Sequence, residues 1–211
     1  MEGVSYQKDN CEKMKIILAT KNKGKVADFE KLTENMNIEV ISFLDEEINF
    51  PDVVEDGETF EENSVKKALE IAKYTGMITV SDDSGLCVEA LDGAPGIYSA
   101  RYSGENATDS TNIDKLLNEM KNIPQEERQA KFVSVVSIAK PDGTVQSFRG
   151  EVEGEIIFER KGTNGFGYNP VFFSYELEKT FGEATMEERV TVSHRARAFR
   201  KLKEQVLNKF V

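Results

Sequence analysis

Seven residues constrain this chain more than any others: Val80-Ser81-Asp82-Asp83-Ser84-Gly85-Leu86. An apolar run from Met77 to Val80 reads as the end of a buried strand, and two adjacent carboxylates follow it directly. Ser84 and Gly85 suit a tight turn. On that reading the acids stand at the rim of a sheet, where open α/β sheets place their ligands. Neighbours in a strand point to opposite faces, so Asp82 and Asp83 are expected to do different jobs. One would hold a cation or take a proton from water, and the other would brace the turn through backbone N–H groups. A plain Asx turn capping a strand fits the same residues.

Charge narrows the partners. The chain carries 38 acidic against 27 basic residues, a net charge of -11. Phosphate backbones need basic patches, so no nucleic-acid partner is expected. A nucleotide would need a local basic pocket instead. The two cysteines, Cys11 and Cys87, lack C-x-x-C spacing and fit a reducing cytoplasm, the expected location. No apolar run is long enough to span a bilayer, so no membrane association is expected. Residues 1–13 are polar and lack an apolar signal-peptide core. They read as a loose extension ahead of one domain over 14–211.

The first strand is expected at Lys15–Ala19, followed by the polar turn Thr20-Lys21-Asn22-Lys23-Gly24-Lys25. A helix with Val26, Phe29, Leu32 and Met36 on one face comes next. Strand, glycine-containing turn and helix make a phosphate-binding layout, because free N–H groups at a helix start favour an anion. The lysines there oppose the helix dipole at a cost of roughly a few tenths of a kcal/mol each, which a polyphosphate would relieve. A solvated lysine-rich loop fits the segment equally, and it is not a Walker A motif. Glu39–Phe43 reads as a second strand and Asp45–Gly57 as an acidic loop, in which Glu55 could reach a metal. Thr59-Phe60-Glu61-Glu62 is a capping box that starts a helix carrying Val65, Ala68, Leu69 and Ala72, with Lys66 and Lys67 in its second turn. Gly76 suits its C-cap.

Leu91–Tyr102 contains Gly93, Pro95 and Gly96 and reads as a rigid turn, with Arg101 expected to steady the acidic segment by a charge-assisted bond. Ile113, Leu116, Leu117 and Met120 mark an amphipathic helix ending before Pro124. Lys131–Lys140 is nearly continuous in apolar character and should be buried on both faces. A turn at Pro141–Thr144 should return the chain as a hairpin over Val145–Phe158 with one wet face. In Gly162–Pro170, glycines interleaved with Phe166 and Tyr168 would let a flat ligand approach and stack, or the aromatics tuck into the core. Ser193 is a good N-cap for a last helix with Phe199, Leu202, Val206 and Phe210 buried. His194, the single histidine, cannot build a zinc site alone.

In combination these segments resemble a known family. They are Thr20-x-Asn22-x-x-Lys25; Glu55-Asp56-Gly57-x-Thr59-Phe60-x-Glu62-Asn63; Ser81–Leu86; Gly93–Arg101; Gly165–Tyr168; and Ser193-His194-Arg195. Their order and spacing are similar to those of the inosine triphosphate pyrophosphatases, which act on dITP and XTP. The match runs from about Met14 to Phe210.

The resemblance implies an α/β fold: an elongated mixed β-sheet flanked by helices, in two lobes with a central nucleotide cleft, and a homodimer. It implies Mg²⁺-dependent hydrolysis of purine nucleoside triphosphates to monophosphate and pyrophosphate. Thr20, Lys21, Asn22, Lys23, Gly24, Lys25 and Lys67 would cradle phosphates, and Ser84 would touch the nucleotide. Glu55 and Asp83 would hold the metal, with Asp83 also accepting a proton. Phe166, Gly167, Tyr168 and Asn169 would line the base pocket, closed by His194 and Arg195. Two positions depart from the family pattern: Asn169 stands for an aspartate and Arg189 for a lysine. A carboxamide both donates and accepts, and a guanidinium is a planar fork, so substrate preference is expected to feel both changes. Two other functions fit the residues less fully: a pyrophosphatase for modified or pyrimidine nucleotides, and a non-catalytic nucleotide-binding regulator.

Overall fold

The computed structural model describes residues 13–44 and 50–207. The expected N-terminal extension and Cys11 therefore lie outside the described residues, apart from Lys13, as do residues 45–49 of the acidic loop and Phe210 of the last helix.

The described strands form one sheet of seven, in the order β2-β1-β3-β4-β5-β6-β7. Strand β1 (Met14–Leu18) lies parallel to β2 (Ile38–Ser42) and to the start of β3 (Thr79–Val88). The remaining pairs are antiparallel: β3 with β4 (Gln129–Ala139), β4 with β5 (Val145–Ile156), then β6 (Phe172–Ser174) and β7 (Lys179–Thr180). The sheet is mixed, as expected, and β4 is buried along nearly its whole length because helices cover both faces.

Local chemistry explains where the helices begin. Helix α1 (Lys23–Thr33) starts where the Asn22 carboxamide accepts from Gly24 N at 2.9 Å and Lys25 N at 3.1 Å. Helix α2 (Phe60–Thr75) starts where Thr59 Oγ accepts from Glu62 N at 3.1 Å, and ends at Gly76 with φ 68°. The Glu62 carboxylate accepts from Glu58 N at 2.7 Å, one residue earlier than in a standard capping box. Helix α3 (Asp109–Glu119) has a full capping box built on Thr108 and Thr111. Helices α4 (Met186–Val192) and α5 (His194–Gln205) meet at Ser193, whose hydroxyl caps α5.

Two cores result. Ile16, Leu18, Val26, Phe29, Val80, Phe199 and Leu202 pack α1 and α5 on one face of the sheet's first half. Leu86, Ile113, Leu116, Phe132, Val152, Phe172 and Phe181 form the core of the second half, beneath α3. Helix α2 covers the opposite face, with Phe60 against Val133 and Val135.

The central expectation needs correction. The acids are not at a strand end followed by a turn: β3 runs through them, pairing Asp82 with Val136 and Asp83 with Val135 on β4. Gly85 is required here by space rather than by a turn, since a Cβ would collide with the Gly96 carbonyl and the Ser99 hydroxyl. The rim is supplied by the other neighbour. Strand β1 pairs with β3 only at Thr79 and Val80, so from Ser81 to Gly85 that edge of β3 has no partner strand and faces the N-terminus of α1, before Ser99 and Pro95 close it at Leu86 and Cys87. Helix α4 and the short strands β6 and β7 also lie where the sequence reading placed none.

Candidate active site

A cavity of about 270 Å³ opens along that free edge, between the two cores. Its polar end is walled by Thr20, Asn22, Lys25, Glu55, Lys67, Asp83 and Ser84, and its aromatic end by Phe132, Phe166, Tyr168 and Phe181. Gly167, Asn169, Arg189, His194 and Arg195 also line it. Lys21, Lys23 and Gly24 do not. Lys21 pairs outward with Asp52 at 2.5 Å and Lys23 is exposed. Gly24 supports the wall from behind, because a Cβ there would enter the Phe166 ring.

The two aspartates have opposite electrostatic characters. Asp82 is fully buried and receives Lys25 Nζ at 2.9 Å, Arg195 Nη2 at 3.2 Å and Ser84 Oγ at 3.1 Å, and also the hydroxyl of Ser134. Burial alone would raise its pKa, but Arg195 and Lys25 outweigh it and hold the carboxyl well below the usual range. Asp83 points to the other face of β3. One oxygen accepts from Ser84 N at 3.1 Å, and the other, Oδ2, is buried with no partner. Burial pushes its pKa up to about 6, against the downward pull of Lys25 and Lys67 and with the upward push of Glu55. The pair thus occupies two different environments, as strand alternation requires: Asp82 braces cations, and Asp83 accepts the backbone N–H of Ser84.

Lys67 is buried and ion-paired with Glu55. Arg195 is also buried. Its Nη1 donates to Asp28 at 2.5 Å, Nε to Asp82 at 3.3 Å, and Nη2 to Ser84 Oγ at 3.1 Å. His194 stacks on Phe132 with ring centroids 4.9 Å apart, and its Nδ1 has no partner. Burial and the neighbouring Arg195 hold its pKa well below 6.5, so the imidazole is neutral at pH 7.

At the aromatic end, backbone contacts fix the wall. Gly167 N donates to Asp109 at 2.7 Å, Tyr168 OH to the Ser99 carbonyl at 2.8 Å, and Asn112 Nδ2 to the Ala100 carbonyl at 3.2 Å. In the orientation that satisfies both of its groups, the Asn169 carboxamide donates to Phe166 O and accepts from Phe166 N, each at 3.3 Å. An aspartate could make only the second bond. Arg189 donates to the Ala184 carbonyl at 2.7 Å. Arg101 lies over the Tyr98 ring at 5.0 Å and walls the cavity; it bonds no acid of β3, whose Asp82 is already saturated by nearer donors. The sequence reading missed Asp28, Ser134, Asp109 and Asn112. Of these, only Asp28 carried a signal: it follows Lys25 by three residues and so shares its helix face.

The Ham1 family model matches residues 16–205. This chain belongs to the Ham1 family. A protein named dITP/XTP pyrophosphatase from Desulfotalea psychrophila is 47% identical over 190 residues, 90% of this chain and 84% of the relative. One of the same name from Geobacter sulfurreducens is 45% identical over 192 residues, covering 91% and 96%. The solved Ham1 protein of Staphylococcus aureus superposes with a TM-score of 0.81 at 42% identity, covering 92% of this chain and 99% of that one. The HAM1 protein of Coxiella burnetii gives 0.82 at 36%, covering 93% and 99%. The Ham1 fold of this chain is thus an α/β fold with a mixed sheet and flanking helices. No helix among the described residues is long and apolar enough to cross a membrane.

Proposed function

We propose that this chain hydrolyses the non-standard purine nucleoside triphosphates ITP, dITP and XTP to the monophosphate and pyrophosphate, using Mg²⁺, and works as a cytoplasmic homodimer. The names of its close relatives support the reaction class. One observation of the site carries the reading furthest: a buried carboxylate oxygen of Asp83, free of any partner, shares one cavity with Lys25, Lys67 and a set of aromatic rings.

The residues fit a magnesium ion. The described residues hold no group of three or more acids, histidines or cysteines placed to hold a metal ion. Mg²⁺ needs no such cage, since one or two carboxylates plus substrate phosphates suffice. Glu55 and Asp83 would be those carboxylates, and the orphaned Asp83 oxygen is a vacant ligand atom. When bound, the ion would neutralise phosphate charge and acidify a nearby water.

The protein's own groups account for the rest. Asp83 accepts the proton of a water aligned with the α-phosphorus. The new bond forms from water oxygen to the α-phosphorus, and the α–β bridging oxygen leaves with pyrophosphate. Lys25 and Lys67 take up the charge that develops there. Thr20, Asn22 and the start of α1 hold the phosphate tail. The base lies among Phe166, Tyr168 and Phe132, where neutral His194 can donate to a 6-oxo group. Adenine presents an amino group at that position, so a donor would face a donor at a cost of about 1–3 kcal/mol.

A pyrophosphate-release assay over ITP, XTP, dITP, GTP, ATP and UTP, with and without Mg²⁺, tests the proposal. Release from the first three, dependent on Mg²⁺, is expected. ATP turned over as fast as ITP would overturn the selectivity, and binding without release would overturn the enzyme reading.

A further inference from the structure

The segment Glu55-Asp56-Gly57-x-Thr59-Phe60-x-Glu62-Asn63 contains more than its metal candidate uses. Four successive residues of the loop are stitched to the first turns of α2. Glu55 pairs with Lys67, Asp56 with Lys66 at 2.6 Å, Gly57 N donates to Asn63 Oδ1 at 2.8 Å, and Glu58 N to Glu62 Oε2 at 2.7 Å. The Lys66 and Glu62 contacts lie in water and can be remade cheaply. The Asn63 contact cannot, because Asn63 is 1% exposed. Its side chain is fixed by the same helix that carries Lys67. The loop is also pressed against it: a Cβ on Gly57 would stand 2.8 Å from Asn63 Oδ1 and 2.8 Å from Glu62 Cβ.

We propose that Asn63 is a positioning residue that fixes where the Glu55 carboxylate stands, and so sets the affinity of the Glu55–Asp83 site for a divalent cation. The inference rests on the metal-assisted reading above. Glu55 sits two residues from the bonded amide, so its backbone has little freedom once Gly57 is held. Without the Asn63 acceptor, Glu55 is tethered mainly by its pair with Lys67. Supporting groups around metal ligands typically change metal affinity by about 10–100-fold when removed.

The test titrates Mn²⁺ directly, by its electron paramagnetic resonance signal, into wild-type protein, Asn63→Leu and Gly57→Ala, first alone and then with a non-hydrolysable purine nucleoside triphosphate analogue present. Circular dichroism and thermal melts check the fold of each. The first variant removes the acceptor and the second pushes the loop off it. The expected result is Mn²⁺ binding weakened about tenfold or more in both. At saturating metal, kcat should stay within about threefold of wild type, because the reacting groups are intact. Mn²⁺ affinity within twofold of wild type in a folded variant overturns the proposal. So does a collapse of kcat at saturating metal, or loss of fold in both variants, which would make Asn63 a folding residue only. Wild-type protein that binds no Mn²⁺ even with the analogue present refutes the metal reading itself, a separate outcome.

Discussion

Two arginines of this chain are buried to a similar degree, Arg128 at 1% exposed and Arg195 at 2%, yet they are solvated in different ways. Arg128 has backbone carbonyls for hydrogen-bond partners: Met120 at 2.7 Å, Ile156 at 2.6 Å and Ile123 at 3.2 Å, with the Phe158 ring 4.2 Å away. It ties the end of α3 to the end of β5. Burial pulls its pKa down, with only Glu155 pulling up. Arg195 instead meets two carboxylates, Asp28 and Asp82. Burial would depress its pKa too, but Asp82 and Asp28 outweigh it and the net shift is upward. The carbonyl-solvated arginine is held by backbone groups at the ends of α3 and β5. The carboxylate-solvated one belongs to a side-chain cluster of near-balanced charge, one residue away from Asp83.

The sharpest way to break this contrast is to unbalance the cluster. Asp82→Asn leaves Lys25 without its buried acid and weakens Arg195's hold, so urea denaturation should show a loss of about 3–5 kcal/mol. Asp82 has a depressed folded pKa, so its contribution is present above the unfolded value of about 3.9 and is lost as pH falls toward the folded one.

Asp83→Asn should do the reverse. The raised folded pKa of about 6 means that its stabilising contribution is present below about pH 3.9 and is lost as pH rises through 6. At pH 8 in metal-free buffer the ionised acid costs up to about 3 kcal/mol, and the variant should be more stable than wild type by up to that amount. At pH 4 the gain should nearly vanish.

Arg128→Met should cost about 2 kcal/mol, through carbonyls left unpaired, while leaving turnover per folded molecule unchanged. Lost turnover there would erase the distinction between scaffold and site. The smallest effect should come from Arg160, which pairs with Asp114 at 2.8 Å in the open. Arg160→Ala should shift stability by less than about 1 kcal/mol.

What the sequence disclosed follows the same division. Asp83 and Lys25 were legible as candidates from their local setting, and Ser84 and His194 chiefly through the family resemblance; all four line the cavity. The elements α1, α2, α3, β4 and β5 were legible from periodicity and caps. Arg128 gave no sign, since its carbonyl partners have no sequence signature. The Asp28–Arg195 pair spans 167 residues, and only the packing of α1 against α5 brings it together. Helix α4 was overlooked although Thr185 and Glu188 form its capping box. Its seven residues are too few to show a periodic stripe. The acidic segment was misread as a turn because Asp, Ser and Gly usually mark one. Here pairing with β4 carries the strand through them, and contacts from other elements fit it there: Arg195 on Asp82, Ser64 on Ser81, and the close approach of Gly96 to Gly85.

Asp83, as the group that takes the proton from water, is the centre of the proposed reaction. Turnover of ITP by Asp83→Asn, at saturating Mg²⁺ and pH 8, tests it most directly. A fall of about a hundredfold or more in kcat, in a variant that remains folded, is predicted. A kcat near that of wild type would contradict it.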